Sequence, residues 1–454
     1  MTRTVDSALL DDAVRRACRY LQTLDERSVA PTAAALAGLD RLGGALPEEG
    51  IAPAELLALL DAAASPATVA CAGGRYFGFV TGGTLPAALA AGWLASAWDQ
   101  NAFSTVSSPV GAAIESVALG WLLDVLGLPG DSAGAFVTGA TMANFTALAA
   151  ARHGVLARTG WDAEADGLFG APPVTVIVGG EVHATLFKVL ALLGLGRDRV
   201  VTVPADGQGR MDADSIPAIS GPTIVCVQAG NVNTGAFDPI GAICERVRGD
   251  GAWVHVDGAF GLWAAASPKL SALADGVAAA DSWATDAHKW LNVSYDSGIA
   301  FVRDADSLRA AMSISAPFLP TVAAREPFHY TPESSRRARG VEIWAALRSL
   351  GRQGLAALVE RNCAMAGRMA DALRDAGHDV LNEVVLNQVL VSFGDGDATD
   401  RVVAAVQEDG TCWCGPTVWQ GRAAMRISVS SWATTEEDVD KSIAAILRVA
   451  AANA

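Results

Sequence analysis

Five short runs rich in Val and Ile, at residues 174–178, 200–203, 223–227, 253–256 and 298–302, recur through the middle of the chain. Longer helix-like stretches at 112–127, 142–158, 183–194 and 239–250 are interleaved with them. A strand that is apolar along its whole length cannot leave one face in water. Runs of this kind spaced by helices predict a mostly parallel sheet covered on both faces, an α/β fold. Residues 1–75 are alanine-rich and helical in pattern, with breaks at Gly38, Gly43, Gly44 and Pro47, and have little core of their own. Residues 76–315 form the expected large domain. Residues 316–454 form a smaller α+β unit: helix 341–376, strand 384–393, helix 398–408, strand 424–429 and a closing helix 435–450. The segment 317–339, with Pro317, Pro320, Pro327 and Pro332, reads as a long loop, and loops of that length carry function or stay unstructured.

Composition narrows the field. Of 454 residues 51% are hydrophobic, enough for a large core and too many for a disordered chain. With 33 basic against 49 acidic residues and a net charge of −16, the chain lacks the clustered cations that a phosphate backbone needs, so no nucleic-acid partner is expected. Seven scattered cysteines make no disulfide framework, and Cys412-Trp413-Cys414 lacks the second pair of a zinc site. No metal is expected. Residues 1–20 carry Asp6, Asp11 and Asp12 instead of an apolar signal core. Apolar stretches such as 87–98 fall short of the roughly 18 residues that cross a bilayer. A cytoplasmic protein without a membrane partner is expected.

Four local patterns carry chemistry. Trp253-Val254-His255-Val256-Asp257-Gly258-Ala259 is a strand that ends in an acid and two small residues, at the sheet edge where α/β folds bind ligands. Asp257 could equally cap a helix, and His255 with Asp257 could be two metal ligands, although no third is near. In Asp286-Ala287-His288-Lys289-Trp290-Leu291 stands one of only four lysines in the chain. A lysine set among apolar residues loses its proton readily, as a Schiff-base lysine must; a lysine snorkelling at a strand edge is the plainer reading. Val137-Thr138-Gly139-Ala140-Thr141 is a strand end and small-residue turn before a helix, a place for a phosphate on the helix dipole. His183, at another helix start, is either a flat platform for an aromatic ligand or a cap.

A phosphate cradle, an imidazole, an acid and an amine on one sheet are the parts that pyridoxal 5′-phosphate needs. The block HVDGAFG…ADSWATDAHKWLNVSYDSG resembles the strand and lysine motif of the group II pyridoxal-phosphate decarboxylases, the family of aromatic amino acid, glutamate, histidine and tyrosine decarboxylases. The resemblance runs from about residue 75 to the C-terminus and implies the aspartate-aminotransferase fold, fold type I. It implies that Lys289 holds the cofactor covalently, with His288 as its phosphate-side neighbour. Asp257 pairs with the pyridine nitrogen, Ala259 packs under the ring, and His183 stacks on the other face. Ala140 and Thr141 match the phosphate turn. Phe79, Thr81 and Phe103 match substrate-pocket positions, and Arg336, Arg337 and Arg339 match the basic run after a mobile catalytic loop.

The chain also departs from the family. Gly230-Asn231-Val232-Asn233-Thr234-Gly235 replaces a Gly-Thr-Thr pattern, with Asn233 left to hydrogen-bond near the cofactor. Asp286 stands where relatives touch phosphate with Ser or Asn, so Thr285 or a backbone group is expected to substitute. Ser294 replaces a common proline, and the segment from Arg75 to Thr81 is less aromatic than in catecholamine-forming members. The implied activity is decarboxylation of an L-amino acid at Cα to an amine and CO₂ by a homodimer, with Tyr330, the only tyrosine of the 317–339 loop, as proton donor to Cα. The rivals are decarboxylation coupled to oxidative deamination, giving an aldehyde, and a non-catalytic structural protein. Aminotransfer is set aside because no carboxylate-binding arginine can be placed.

Overall fold

The computed structural model describes residues 6–317 and 325–453. The N-terminal part is helical: α1 (Ser7–Gln22), α2 (Ala33–Ala37) and α3 (Pro53–Ala64), followed by α4 (Pro86–Trp98) and α5 (Pro109–Val125). Asp6 caps α1 by accepting from the Leu9 N–H, and Ser108 caps α5 by accepting from Gly111. Neither α1 nor α2 contributes a buried residue. Alanine supplies helix propensity there, but little side chain to bury.

The chain then builds a seven-stranded sheet in the order β1-β7-β6-β5-β4-β2-β3. Its strands are β1 (Ala133–Val137), β2 (Thr175–Gly179), β3 (Val201–Val203), β4 (Thr223–Gln228), β5 (Trp253–Asp257), β6 (Ser282–Asp286) and β7 (Gly298–Val302). From β3 through β6 the pairing is parallel, and β7 runs antiparallel to both β6 and β1. The expected α/β, mostly parallel sheet is the observed one. Every residue of β4, β5, β6 and β7 is buried, which is why the apolar runs are continuous. β6 is the exception in composition. Its Ser-Trp-Ala-Thr-Asp carries no Val or Ile, so no run announces it.

Helices α6 (Ala140–Ala157), α7 (Ala163–Asp166), α8 (Ala184–Leu192), α9 (Ile240–Val247) and α10 (Ala305–Met312) complete this layer. α6 lies across β5, β6 and β7. Gly154 lets it approach so closely, because a Cβ there would stand 2.7 Å from the Trp253 ring.

The long helix α11 (Gly340–Asp375) is interrupted at Gly351, which adopts a positive φ of 61°. Its first half buries Ile343, Ala346 and Leu347 in the large core; Met365, Met369 and Leu373 of its second half enter a separate core. That second core lies on a four-stranded antiparallel sheet, order β10-β11-β9-β8, formed by β8 (Asp379–Val380), β9 (Gln388–Ser392), β10 (Gly415–Trp419) and β11 (Arg422–Ser428). Helices α12 (Gly396–Asp409) and α13 (Glu436–Asn453) cover it. Phe77 also packs there, its N–H bonded to the Trp413 carbonyl at 2.8 Å. No described helix is long and apolar enough to cross a membrane.

Candidate active site

The carboxyl ends of the parallel strands meet the start of α6 around a cavity of about 400 Å³. Phe79, Ala140, Thr141, His183, Asp257, Ala259, His288 and Lys289 all line it, so eight residues singled out from sequence come together. The turn before α6 is held by backbone contact. A Cβ on Gly298 would lie 2.4 Å from the Gly139 Cα, so only glycine permits the approach of β7.

At the head of α6 the free Ala140 N–H donates to Asp286 Oδ1 at 2.5 Å, and Lys289 Nζ lies 3.0 Å from Asp286 Oδ2. Asp286, at the end of β6, is buried and takes the helix-terminal donor that an anion would otherwise use. The expected substitute, Thr285, has its hydroxyl buried with no partner. His288 accepts at Nδ1 from the Ser297 N–H at 3.1 Å, and its ring centre lies 4.2 Å from that of Tyr295. Burial pushes its imidazole below the ordinary pKa.

His183 is both things that its sequence position allowed. Its Nδ1 accepts from the Thr185 N–H, capping α8, while the ring lines the cavity. Burial lowers its pKa, against the pull of the Asp257 carboxylate. Asp257 Oδ1 accepts from the Ala259 N–H at 3.2 Å and Oδ2 from Asn144 Nδ2 at 3.2 Å. His255 is not a metal ligand: its two ring nitrogens bond Asn144 and Ser282.

Four expected residues lie off the cavity wall. Asn233 turns to the second sheet, where its Oδ1 accepts from Thr417 at 2.9 Å; Asn231 holds the loop instead. Thr81 reaches the site only through the Tyr295 hydroxyl, at 3.3 Å. Phe103 packs on Phe328, centroids 5.8 Å apart. Tyr330 lies under the Arg325 guanidinium, 4.4 Å from its ring centre, on the side of α10. The loop expected at 317–339 lies outside the described residues over 318–324. Its remainder is pinned, because Arg325 and Arg336 both pair with buried Glu115.

Residues 71–394 match the model of the pyridoxal-dependent decarboxylase conserved domain. The chain belongs to that family. Tryptophan decarboxylase 1 of Oryza sativa subsp. japonica is 28% identical over 406 residues, covering 80% of this chain and 78% of the relative. Phenylacetaldehyde synthase of Arabidopsis thaliana is 25% identical, covering 74% of each. In fold, the crystal structure of Oryza sativa TDC with PLP and tryptamine superposes with a TM-score of 0.91 at 23% identity, covering 100% of this chain and 99% of that one. The protein is a pyridoxal-phosphate-dependent amino acid decarboxylase, a carboxy-lyase of fold type I.

The donor set suits the cofactor of this decarboxylase: one lysine amine, the buried carboxylates of Asp257 and Asp286, a small residue at Ala259 and helix-terminal N–H groups face a single cavity. Several participants escaped the sequence reading. Tyr295 lines the cavity and Arg426 of β11 reaches its wall, Nη1 lying 3.4 Å from the Val232 carbonyl. Tyr295 stood inside the lysine motif already singled out and Asn144 three residues beyond the small-residue turn, so a signal existed for them. Arg426 had none, since only the docking of the second sheet brings it there.

Proposed function

We propose that this decarboxylase acts on an L-amino acid with an aromatic, uncharged side chain and releases the amine. The observation that carries this reading is the exposed aromatic rim. Phe79, 63% exposed and leaning on Trp413, and Tyr295, 56% exposed, present their rings to the cavity mouth. Aromatic faces in a concave site favour an aromatic guest through offset or edge-to-face packing. The tryptophan decarboxylase relative supports the same class.

Pyridoxal 5′-phosphate, when bound, supplies an aldehyde for an amine and a ring that takes up the electron pair left at Cα as CO₂ departs. In this reading Lys289 makes the covalent link and Asp257 faces the ring nitrogen. His183 and Ala259 flank the ring, and Ala140, Thr141 and His288 hold the phosphate. The phenol of Tyr295 takes the place of Tyr330 as proton donor to Cα, because Tyr330 points away from its own subunit's cavity. The site belongs to a homodimer, closed by the apolar face of the N-terminal helices.

The test is CO₂ release from each of the twenty amino acids. Tryptophan, phenylalanine or tyrosine should give the highest kcat/KM, and a preference for glutamate or a diamino acid would refute the substrate class. Aldehyde formation is the second reading, favoured by the phenylacetaldehyde synthase relative. Measuring amine against aldehyde in wild type and Tyr295→Phe decides between the two: amine in the wild type shifting toward aldehyde in the variant supports the first. Lys289→Ala should lose turnover and the borohydride-reducible adduct together.

A further inference from the structure

Five buried side chains form a hydrogen-bonded row beneath the cavity, on the face of β5 and β6 that α6 covers. Trp253 Nε1–H donates to Ser282 Oγ at 2.8 Å, and an indole nitrogen can do nothing but donate. Asp257 at the far end is a carboxylate that accepts, which turns the Asn144 amide oxygen to His255 and leaves the one proton of Ser282 for the other partner of its oxygen, His255 Nδ1, at 2.9 Å. Nδ1 accepting leaves the imidazole proton on Nε2, which faces Asn144 Oδ1 at 2.7 Å. That places the amide nitrogen of Asn144 against Asp257 Oδ2, at 3.2 Å. A flipped amide would set two acceptors together at Asp257 and two donors together at His255. Every donor and acceptor along the row is thus fixed by its neighbour, from Trp253 to Asp257.

We propose that Asn144, aligned through His255 and Ser282, is a positioning residue that keeps the proton between Asp257 and the cofactor on the ring nitrogen. A carboxylate oxygen that already accepts a hydrogen bond is a weaker base, so the shared proton stays on the ring, where it makes the ring an electron sink. The row works only with a neutral imidazole. A second proton on His255 would face the Ser282 hydroxyl and leave the Ser282 proton without an acceptor. Burial secures that condition by pushing the pKa of His255 down to about 3.

The other titratable groups around Asp257 are His183, Lys289 and Asp286 on the cavity and Cys226 on β4. Burial favours neutral forms of His183 and Cys226, so neither replaces the row as a source of charge. The inference rests on the reading that Asp257 faces the ring nitrogen.

The test uses holoenzyme carrying pyridoxal 5′-phosphate labelled with ¹⁵N in the ring, followed by NMR across the neutral pH range, with kcat and KM measured alongside. In Asn144→Leu the shared proton should shift toward Asp257 at every pH tested, moving the ring ¹⁵N signal toward its unprotonated position, with kcat down about tenfold and KM nearly unchanged. Ser282→Ala, which removes one hydroxyl and releases the tautomer of His255, should shift the nitrogen the same way by less. It keeps the proposal testable if Asn144→Leu does not fold. A ring ¹⁵N signal at the wild-type position across the pH range in either folded variant overturns the proposal. Asp257→Ala separates the two levels. If it leaves the nitrogen unmoved, the underlying pairing is wrong; if it moves the nitrogen while the row variants do not, the row alone is wrong.

Discussion

Asp286 has both carboxylate oxygens engaged, one with the Ala140 N–H and one with the Lys289 ammonium. In the proposed placement of the cofactor, a phosphate at the head of α6 would meet that charge and compete for the same donors. Asp286→Asn should therefore tighten cofactor binding by about tenfold, the scale of one removed like-charge contact. Absorbance titration of the apoprotein measures it, and weaker binding would show that the carboxylate is needed to aim Lys289. A second pair of residues governs stability against pH. His255 has its pKa pushed by burial from the usual 6.5 to about 3. Its contribution is present above pH 6.5 and is lost as pH falls toward 3, because only the unfolded chain binds the proton in between. Asp238, buried but accepting from the Met211 and Gln228 N–H groups, is raised from 3.8 to about 6. Its contribution is present below 3.8 and is lost as pH rises through 6. Between pH 4 and 6 the two slopes oppose each other. In His255→Gln the slope of unfolding free energy against pH should fall by about 1.4 kcal/mol per unit relative to the wild type. Urea titrations at stepped pH check this, and an unchanged slope would contradict it.

Among the elements, α5 does more than cover the sheet. Its buried Glu115 pairs with Arg325 and Arg336, which also donate to the Gly134 and Phe136 carbonyls of β1. Burial pushes both guanidinium groups down to about 10, so these cations depend on their partner. Glu115→Gln should cost about 3–5 kcal/mol, the scale of breaking one side of a buried ion pair. Thermal unfolding reads the loss, and a Tm within a degree of the wild type would count against it. The elements that sequence periodicity located are those where burial needs apolar bulk: β4, β5, β7, α6 and the closing α13 all lie within a few residues of their expected bounds. β6 escaped because Ser282 and Asp286 find buried polar partners in Trp253, His255 and Ala140, so the strand needs no Val or Ile. β10 escaped because it is an edge strand with Pro416, Thr417 and Val418 not fully buried.

At the scale of the whole molecule, Leu10 and Val14 of α1, Leu56 of α3, Trp93 and Leu94 of α4 and Trp121 of α5 leave apolar side chains in water. A monomer rarely exposes so much. The chain should run as a dimer by light scattering, and Trp93→Glu should split it and lower activity with it. A fully active monomer would refute this. Sequence alone determined that a parallel sheet would carry a lysine, an acid, a histidine and a small-residue turn at one edge, because each lies at the end of its own strand or the start of its own helix. Local order is enough to place such residues. The tertiary structure alone decided what depends on contacts between distant segments. Asn233 went to Thr417, and Tyr330 went beneath Arg325. Asp286 took the helix terminus, Arg426 arrived from the second sheet, and Trp253, Ser282, His255 and Asn144 lined up behind Asp257. Hydrogen-bond partners are chosen by the packing of β5, β6 and α6 on one another, and no periodicity along the chain encodes that choice.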